Sequence, residues 1–82
     1  EEVTVVAQVL DVQSRRMQRR NGQIIEARIT DGTGSLTLVW LGRRAVAGIV
    51  PGVMLRIHGR VTNLRAGPTI YNPAYEILPQ HG

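Results

Sequence analysis

The sequence contains no cysteine, and this absence removes two common ways of stabilising a small domain. No disulfide bond can form. A metal site of the Cys/His type is excluded as well, because His58 and His81 are the only residues of that kind. With 82 residues the chain is long enough for one compact domain and too short for two. We therefore expect one domain that depends on an efficient hydrophobic core and has no metal and no cofactor.

Long hydrophobic runs are missing too. No stretch approaches the ~20 apolar residues that a membrane-spanning helix needs, so we expect no membrane partner. The N-terminus, Glu1-Glu2-Val3, is acidic and lacks Met, which is not how a signal peptide begins. A cytoplasmic protein is the resulting expectation.

Lysine is absent, so all ten basic residues are arginine, and their placement is uneven. Residues 13–65 carry every arginine against only two acids, Glu26 and Asp31, which gives this segment a net charge of +8. The other four acids lie towards the ends of the chain, which together carry −4. Arginine binds phosphates through two parallel hydrogen bonds and stacks on bases, as lysine cannot. One part of the molecule is thus strongly cationic.

Alternating apolar and polar residues predict five β-strands. In the second strand, for example, Ile25, Ala27 and Ile29 alternate with polar residues. Asn21-Gly22 and Asp31-Gly32-Thr33-Gly34 separate the first three strands as tight turns, because Asn and Gly tolerate positive φ. The strands are expected at about residues 3–12, 23–30, 36–41, 53–64 and 69–78, the last one interrupted at Asn72-Pro73.

Residues 43–50 break this alternation. Val46, Ile49 and Val50 have helical spacing, which predicts a short helix that ends at Pro51-Gly52. Five strands with a helix between the third and the fourth follow the order of an OB-fold barrel. An SH3-like barrel shares the strand count, but the helical segment favours the OB fold. We predict an all-β, five-stranded OB-fold barrel with a short helix between strands three and four, as a single domain over residues 1–82 with a frayed tail at 79–82.

The apolar face of each strand is expected to form the core. Trp40 alternates in register with Leu36 and Leu38, so we place it in the core rather than on a binding surface. Tyr71 and Tyr75 could either stack on bases or close the barrel with the hydroxyl in water, and we favour the second. The residues predicted to point inward are Val5, Val9, Ile25, Ala27, Ile29, Leu36, Leu38, Trp40, Leu55, Ile57 and Val61.

The order and spacing of four short segments resemble bacterial anticodon-type OB domains. The sequence is similar to the wedge domain of the RecG branch-migration helicase and to small stand-alone OB-fold proteins of GC-rich bacteria. The resemblance covers essentially the whole chain. The segments are Asp31–Trp40, Pro51-Gly52, Ile57–Val61 and Asn72–Glu76.

The resemblance implies DNA binding through the face of strands two and three and the loops beside it. In the RecG wedge, aromatic residues that follow the position of Trp40 stack at the branch point. Leu41 and Ala45 occupy those positions here. This departure argues against fork wedging and favours the stand-alone proteins.

Arginines supply the candidate binding residues. Four of them lie within six residues beside the first turn, where they either bind nucleic acid or form a merely solvated hairpin tip. Arg43 and Arg44 could extend the same groove or simply solubilise the start of the helix. Arg65 lies in the loop between strands four and five, which commonly borders the ligand groove of OB folds. The candidates are Arg15, Arg16, Arg19, Arg20, Arg28, Arg43, Arg44 and Arg65.

No catalytic constellation is present in the sequence. His58 has no nearby Ser, Cys or carboxylate in sequence, and with Arg56 and Arg60 it is expected on the solvated side of the fourth strand. The Asp31–Gly34 turn lacks the length and the lysine of a phosphate-binding loop.

We therefore predict a non-catalytic module, without a small-molecule substrate, that binds single-stranded or branched DNA through arginines with little sequence preference. Two alternatives are a wedge-type OB domain of a multidomain ATP-dependent DNA helicase and an OB domain that binds proteins. The choice between DNA and RNA and the oligomeric state stay open.

Overall fold

A computed structural model describes residues 1–17, 22–43 and 46–79, with only the backbone of Arg43. These residues form six strands joined by turns, and none of them is helical. Over the same ranges no helix is long and apolar enough to cross a membrane. The strands are β1 (Glu2–Arg16), β2 (Gln23–Thr30), β3 (Ser35–Arg43), β4 (Met54–Leu64), β5 (Gly67–Tyr71) and β6 (Ala74–Ile77).

Five of the strands close into a barrel in the order β1-β2-β3-β5-β4, because β1 also pairs with β4. The length of β1 makes this closure possible. Its first half, residues 2–8, pairs with β4, and its second half, residues 8–16, pairs with β2. All pairings are antiparallel except that of β3 with β5, which is parallel. The predicted all-β barrel of five strands is confirmed.

The sixth strand comes from the break that the sequence predicts at Asn72-Pro73. Asn72 adopts a left-handed conformation with φ of 51°, which turns the chain between β5 and β6. Beyond it β6 pairs with β4 outside the closed ring. The amide of Leu78 still donates to the carbonyl of Met54. Residues 80–82, most of the predicted frayed tail, lie outside the described residues.

The predicted core is confirmed at all eleven positions. Eight of them are buried, and Val5, Leu36 and Val61 pack against the buried cluster as partly buried side chains. Ile49 and Ile70 join the cluster from the β3–β4 connection and from β5. Burying a side chain of this size contributes about 1.5–3 kcal/mol. The core therefore stabilises the domain without a disulfide bond.

The predicted helix between β3 and β4 is wrong. Residues 46–53 form turns, in which Gly48 has φ of 77° and Gly52 has φ of 94°. A right-handed helix cannot contain such left-handed conformations. Ile49 is nevertheless buried, because its side chain packs into the core from a turn closed by the Ile49 amide and the Val46 carbonyl. Of the three residues with helical spacing, Ile49 is buried, Val46 packs partly buried against the core and Val50 is exposed, all without a helix.

A β-bulge in β1 sets which side chains face outward near its end. The register with β2 shifts between Val9 and Asp11, so Leu10 has no direct partner. Side chains alternate between the two faces of a strand, and one extra residue inverts that alternation. Asp11, Gln13 and Arg15 therefore lie on the outer face of the barrel.

Candidate nucleic-acid interface

A groove of about 280 Å³ runs over the outer face of β1, β2, β3 and β5. The strand register explains its floor. Gln13, Glu26, Val39 and Tyr71 pair in turn and form one row across the four strands. The next row joins Arg15, Ile24 and Leu41. Leu64 at the end of β4 and Ala66 in the connection to β5 close one side of the groove.

The floor of this groove is largely apolar. Val39 is 9% exposed, whereas Tyr71 is 44% exposed and Leu41 is 42% exposed. The inward-facing neighbours of these residues fill the core, so the rule of alternation leaves the floor residues facing solvent. A half-exposed tyrosine beside aliphatic side chains offers a flat apolar surface on which a planar ring can stack.

Tyr71 differs from the interpretation that the sequence favoured. We expected its ring to close the barrel, but it lies on the outer face and lines the groove. Its position follows from the parallel pairing of Val39 with Tyr71, between segments more than 30 residues apart. Local periodicity carries no signal for such a pairing.

The other two aromatic residues belong to the interior. Trp40 is 1% exposed, as predicted, and its indole N–H donates to the carbonyl of Pro73 over 3.2 Å. The ring of Tyr75 packs edge-on against Trp40 with 5.7 Å between ring centroids. Its hydroxyl donates to the carbonyl of Ala47 over 3.0 Å. The packing of the Tyr75 ring fits the favoured interpretation, but the hydroxyl is hydrogen-bonded to the protein and not left to water.

Arg15 and Arg16 end β1, where Arg15 lines one margin of the groove and Arg16 lies on the opposite face of the strand. The side chain of Arg15 is 68% exposed, and its guanidinium is 3.9 Å from the Glu26 carboxylate, a loose contact. Arg16 is exposed and, within the described residues, has no ion pair. The hairpin beyond them continues to Gly22, whose carbonyl accepts the Met17 amide. Of the other candidates, Arg19, Arg20 and Arg44 and the side chain of Arg43 lie outside the described residues.

Arg65 and Arg28 are placed differently from each other. Arg65 is exposed in the β4–β5 connection, between two residues that line the groove, and forms no ion pair with the described acids. Arg28 instead forms an ion pair with Asp11, at 3.0 Å. The bulge in β1 makes this pairing possible because it turns Asp11 outward. Arg28 is therefore less available to a phosphate than Arg15 or Arg65.

The outer face of β4 carries two arginines that lie away from the groove and contact acids of neighbouring strands. Arg56 forms an ion pair with Glu76 of β6, and Arg60 lies 4.0 Å from Glu2 of β1. The same Glu2 is 3.3 Å from His58, whose Nδ1 is hydrogen-bonded to the hydroxyl of Thr4 in β1. These side chains are exposed, so the predicted solvated strand face is confirmed.

The turn between β2 and β3 is structural, as predicted. The Asp31 carboxylate accepts hydrogen bonds from the hydroxyl of Thr33 at 2.7 Å and its amide at 2.8 Å. It also accepts the amide of Gly34. These hydrogen bonds, led by the one from the Thr33 hydroxyl, lower the pKa of Asp31 below its ordinary value. Two backbone amides that could have held a phosphate are thus already occupied.

The described residues offer no candidate metal site. Among the residues that the structure describes, no group of three or more His, Asp or Glu could hold a metal ion. On β2 and β3, the groove residues that the sequence reasoning missed are Ile24, Glu26, Thr37, Val39 and Leu41. Their alternation with core residues is visible in the sequence, and only the strand order shows that they share one surface.

Comparison with known families gives one informative result. The tRNA anti-codon family model, described as an OB-fold nucleic acid binding domain, matches residues 3–78. Comparisons with curated proteins and with solved structures give no significant match. The matched range runs from the start of β1 past the end of β6 and includes the whole groove. The closed barrel and this match agree, and the chain belongs to the OB-fold nucleic-acid-binding domain family.

Proposed function

We propose that this domain binds single-stranded DNA, including the single-stranded part of a branched molecule, in the groove and without catalysis. One observation carries the proposal. An apolar floor with the half-exposed ring of Tyr71 lies between exposed arginines, Arg15 on one side and Arg65 near the other. Single strands present both bases and phosphates to such a surface.

The apolar floor is the reason for a single strand and not a duplex. In a duplex the base faces are stacked on one another, so only base edges and phosphates can contact a protein. The exposed parts of Tyr71 and Leu41 gain contact area from a base face only when that face is free. Base stacking on an aromatic side chain contributes about 1–3 kcal/mol per base. A duplex cannot use this contribution without being opened.

Arginines supply the remainder of the affinity through phosphates. Arg15 and Arg65 are exposed, and the acids nearby neutralise them little. Arg16, on the opposite face at the end of the same strand, is exposed and could reach a phosphate at the margin of the groove. Four further candidates, Arg19, Arg20, Arg43 and Arg44, adjoin the same part of the chain and are included in the proposal. Contacts to phosphates do not distinguish bases, so the domain should bind most sequences.

The experiment compares a fluorescent 12-nucleotide strand, the corresponding duplex and a fork, each titrated with the domain over a series of salt concentrations. We expect a dissociation constant of about 10⁻⁴ to 10⁻⁶ M for the single strand near physiological salt. With about four phosphates neutralised, log K against log salt should have a slope near −3. The fork should bind through its unpaired arms, and the duplex more weakly. Equal affinity for duplex and single strand, or affinity independent of salt, would contradict the proposal.

A further inference from the structure

One acid lies in the groove, whose other lining residues are apolar, neutral polar or cationic. Glu26 is in the middle of β2, and it is the only acid among the described residues that line the groove. A carboxylate repels the phosphates of a nucleic acid, so its position is unfavourable for a surface that binds only a backbone. Its presence calls for a contact that a nucleic acid can make with a carboxylate.

The Glu26 carboxylate is free to make such a contact. Its one charged contact among the described residues is with Arg15, at 3.9 Å. Arg28, two positions along the same face of β2, is held by Asp11. The Glu26 side chain is 37% exposed, so a ligand in the groove can reach its oxygens. The acid is therefore neither buried nor firmly paired.

The position of Glu26 relative to Tyr71 suits a base. The two residues belong to one row, with Val39 between them. Neighbouring strands are about 4.8 Å apart, so the backbones of Glu26 and Tyr71 are separated by roughly 10 Å. A base that stacks on Tyr71 and covers Val39 would direct one edge towards Glu26.

We infer that Glu26 accepts a hydrogen bond from the exocyclic amino group of one bound base, and that this position prefers cytosine or adenine to thymine. The inference rests on the proposed function. The amino groups of cytosine and adenine donate to a carboxylate, whereas thymine carries a carbonyl oxygen in the corresponding place and is repelled. The preference concerns one nucleotide, because contacts to phosphates hold the others without regard to sequence.

The experiment uses oligo(dC) and oligo(dT) of 12 nucleotides at pH 7.5 and one salt concentration. Both are pyrimidine strands, so their stacking on Tyr71 is similar. We expect the domain to bind oligo(dC) about five- to tenfold more tightly, the lower part of the range for a base-edge contact. Glu26→Gln, which keeps the size of the side chain and removes its charge, should bring this ratio to within about twofold.

The matched control is Glu76→Gln, which makes the same change of charge on the β4 face, outside the groove. It should leave the ratio as in the parent protein, and thermal melting should show that both variants fold. If Glu26 only repelled phosphates, Glu26→Gln would strengthen binding of both strands equally, and the unchanged ratio would overturn the inference. A ratio of one in the parent, or tighter binding of oligo(dT), would overturn it too and leave the proposed function intact. Failure of both strands to bind would overturn both proposals.

Discussion

Two outer faces of the barrel carry arginines, and they differ in what surrounds those arginines. On the β4 face, Arg56 forms an ion pair with Glu76 of β6, whereas Arg60 has only a loose contact with Glu2 of β1, at 4.0 Å. On the groove face, Arg15 has one loose contact and Arg65 has none among the described acids, while Arg28 on the same side of β2 is paired with Asp11. The number of arginines on a face is thus a poor guide to its function. What distinguishes the groove face is the apolar floor with the half-exposed ring of Tyr71 beside its exposed arginines.

Both faces depend on an intact barrel. Trp40→Ala should therefore have the largest effect, because it removes a large buried side chain from the core beneath both faces. A buried indole deleted from so small a core should lower the free energy of unfolding by about 3–5 kcal/mol. Thermal melting measures this loss, and Tyr71→Ala is the control. The Tyr71 ring is half-exposed, so its removal should change the melting temperature little. A Trp40 variant that melts like the parent would contradict the core assignment.

The next largest effect should be on binding, and it should distinguish the groove face from the β4 face. Replacing Arg15 and Arg65 together with Ala should weaken binding of a single strand by about ten- to a hundredfold at low salt. The slope of log K against log salt should become shallower by about 1.4, since two phosphate contacts are lost.

The matched pair of substitutions, Arg56→Ala with Arg60→Ala, removes the same charge from the β4 face. It should leave the salt slope unchanged and reduce stability by no more than about 1 kcal/mol per ion pair, because the pairs are exposed. Equal loss of binding in the two double variants would mean that net charge, and not the groove, attracts the nucleic acid.

Tyr71→Ala tests how much the apolar floor of the groove contributes to binding of a single strand. Without the ring, a single strand loses one stacking contact, and its affinity should fall by about 1–2 kcal/mol. Tyr71→Phe retains the ring and should bind nearly as well as the parent. Duplex affinity, measured by the same titration, should respond little to either change. If the Phe variant binds as weakly as the Ala variant, the hydroxyl and not the stacking surface makes the contact.

The smallest effect should come from Asp31, which belongs to neither face. Its pKa is lowered in the folded protein by the hydrogen bonds from Thr33 and Gly34. A lowered pKa means that the ionised form stabilises the fold. This contribution is fully present above the ordinary aspartate value of about 3.9 and is lost as the pH falls through the lower folded value.

Urea unfolding between about pH 5 and pH 2 should therefore show a smaller fall in stability for Asp31→Asn than for the parent. Single-strand binding at neutral pH should be the same in both proteins, because Asp31 does not line the groove. If the stability of Asp31→Asn falls with pH as steeply as that of the parent, Asp31 does not contribute to the pH dependence of stability.

The sequence determined which residues form the strands and which of their faces is buried. Period-two alternation is a local property, and it placed Val9, Ile29 and Trp40 correctly. The break at Asn72-Pro73 was also visible, because proline lacks the amide that a strand uses. The helix was mispredicted because the apolar spacing around Ile49 is the same for a buried turn as for a helix.

The tertiary structure alone decided which outward residues share a surface. Val39 and Tyr71 became neighbours through the parallel pairing of β3 with β5, and one extra residue in β1 brought Asp11 to Arg28. Both arrangements depend on partners that are distant along the chain. A local pattern fixes the face on which a residue lies, but the order of the strands fixes what lies beside it. The sequence thus showed that cationic residues were present, and the closed barrel decided which of them stayed without a partner.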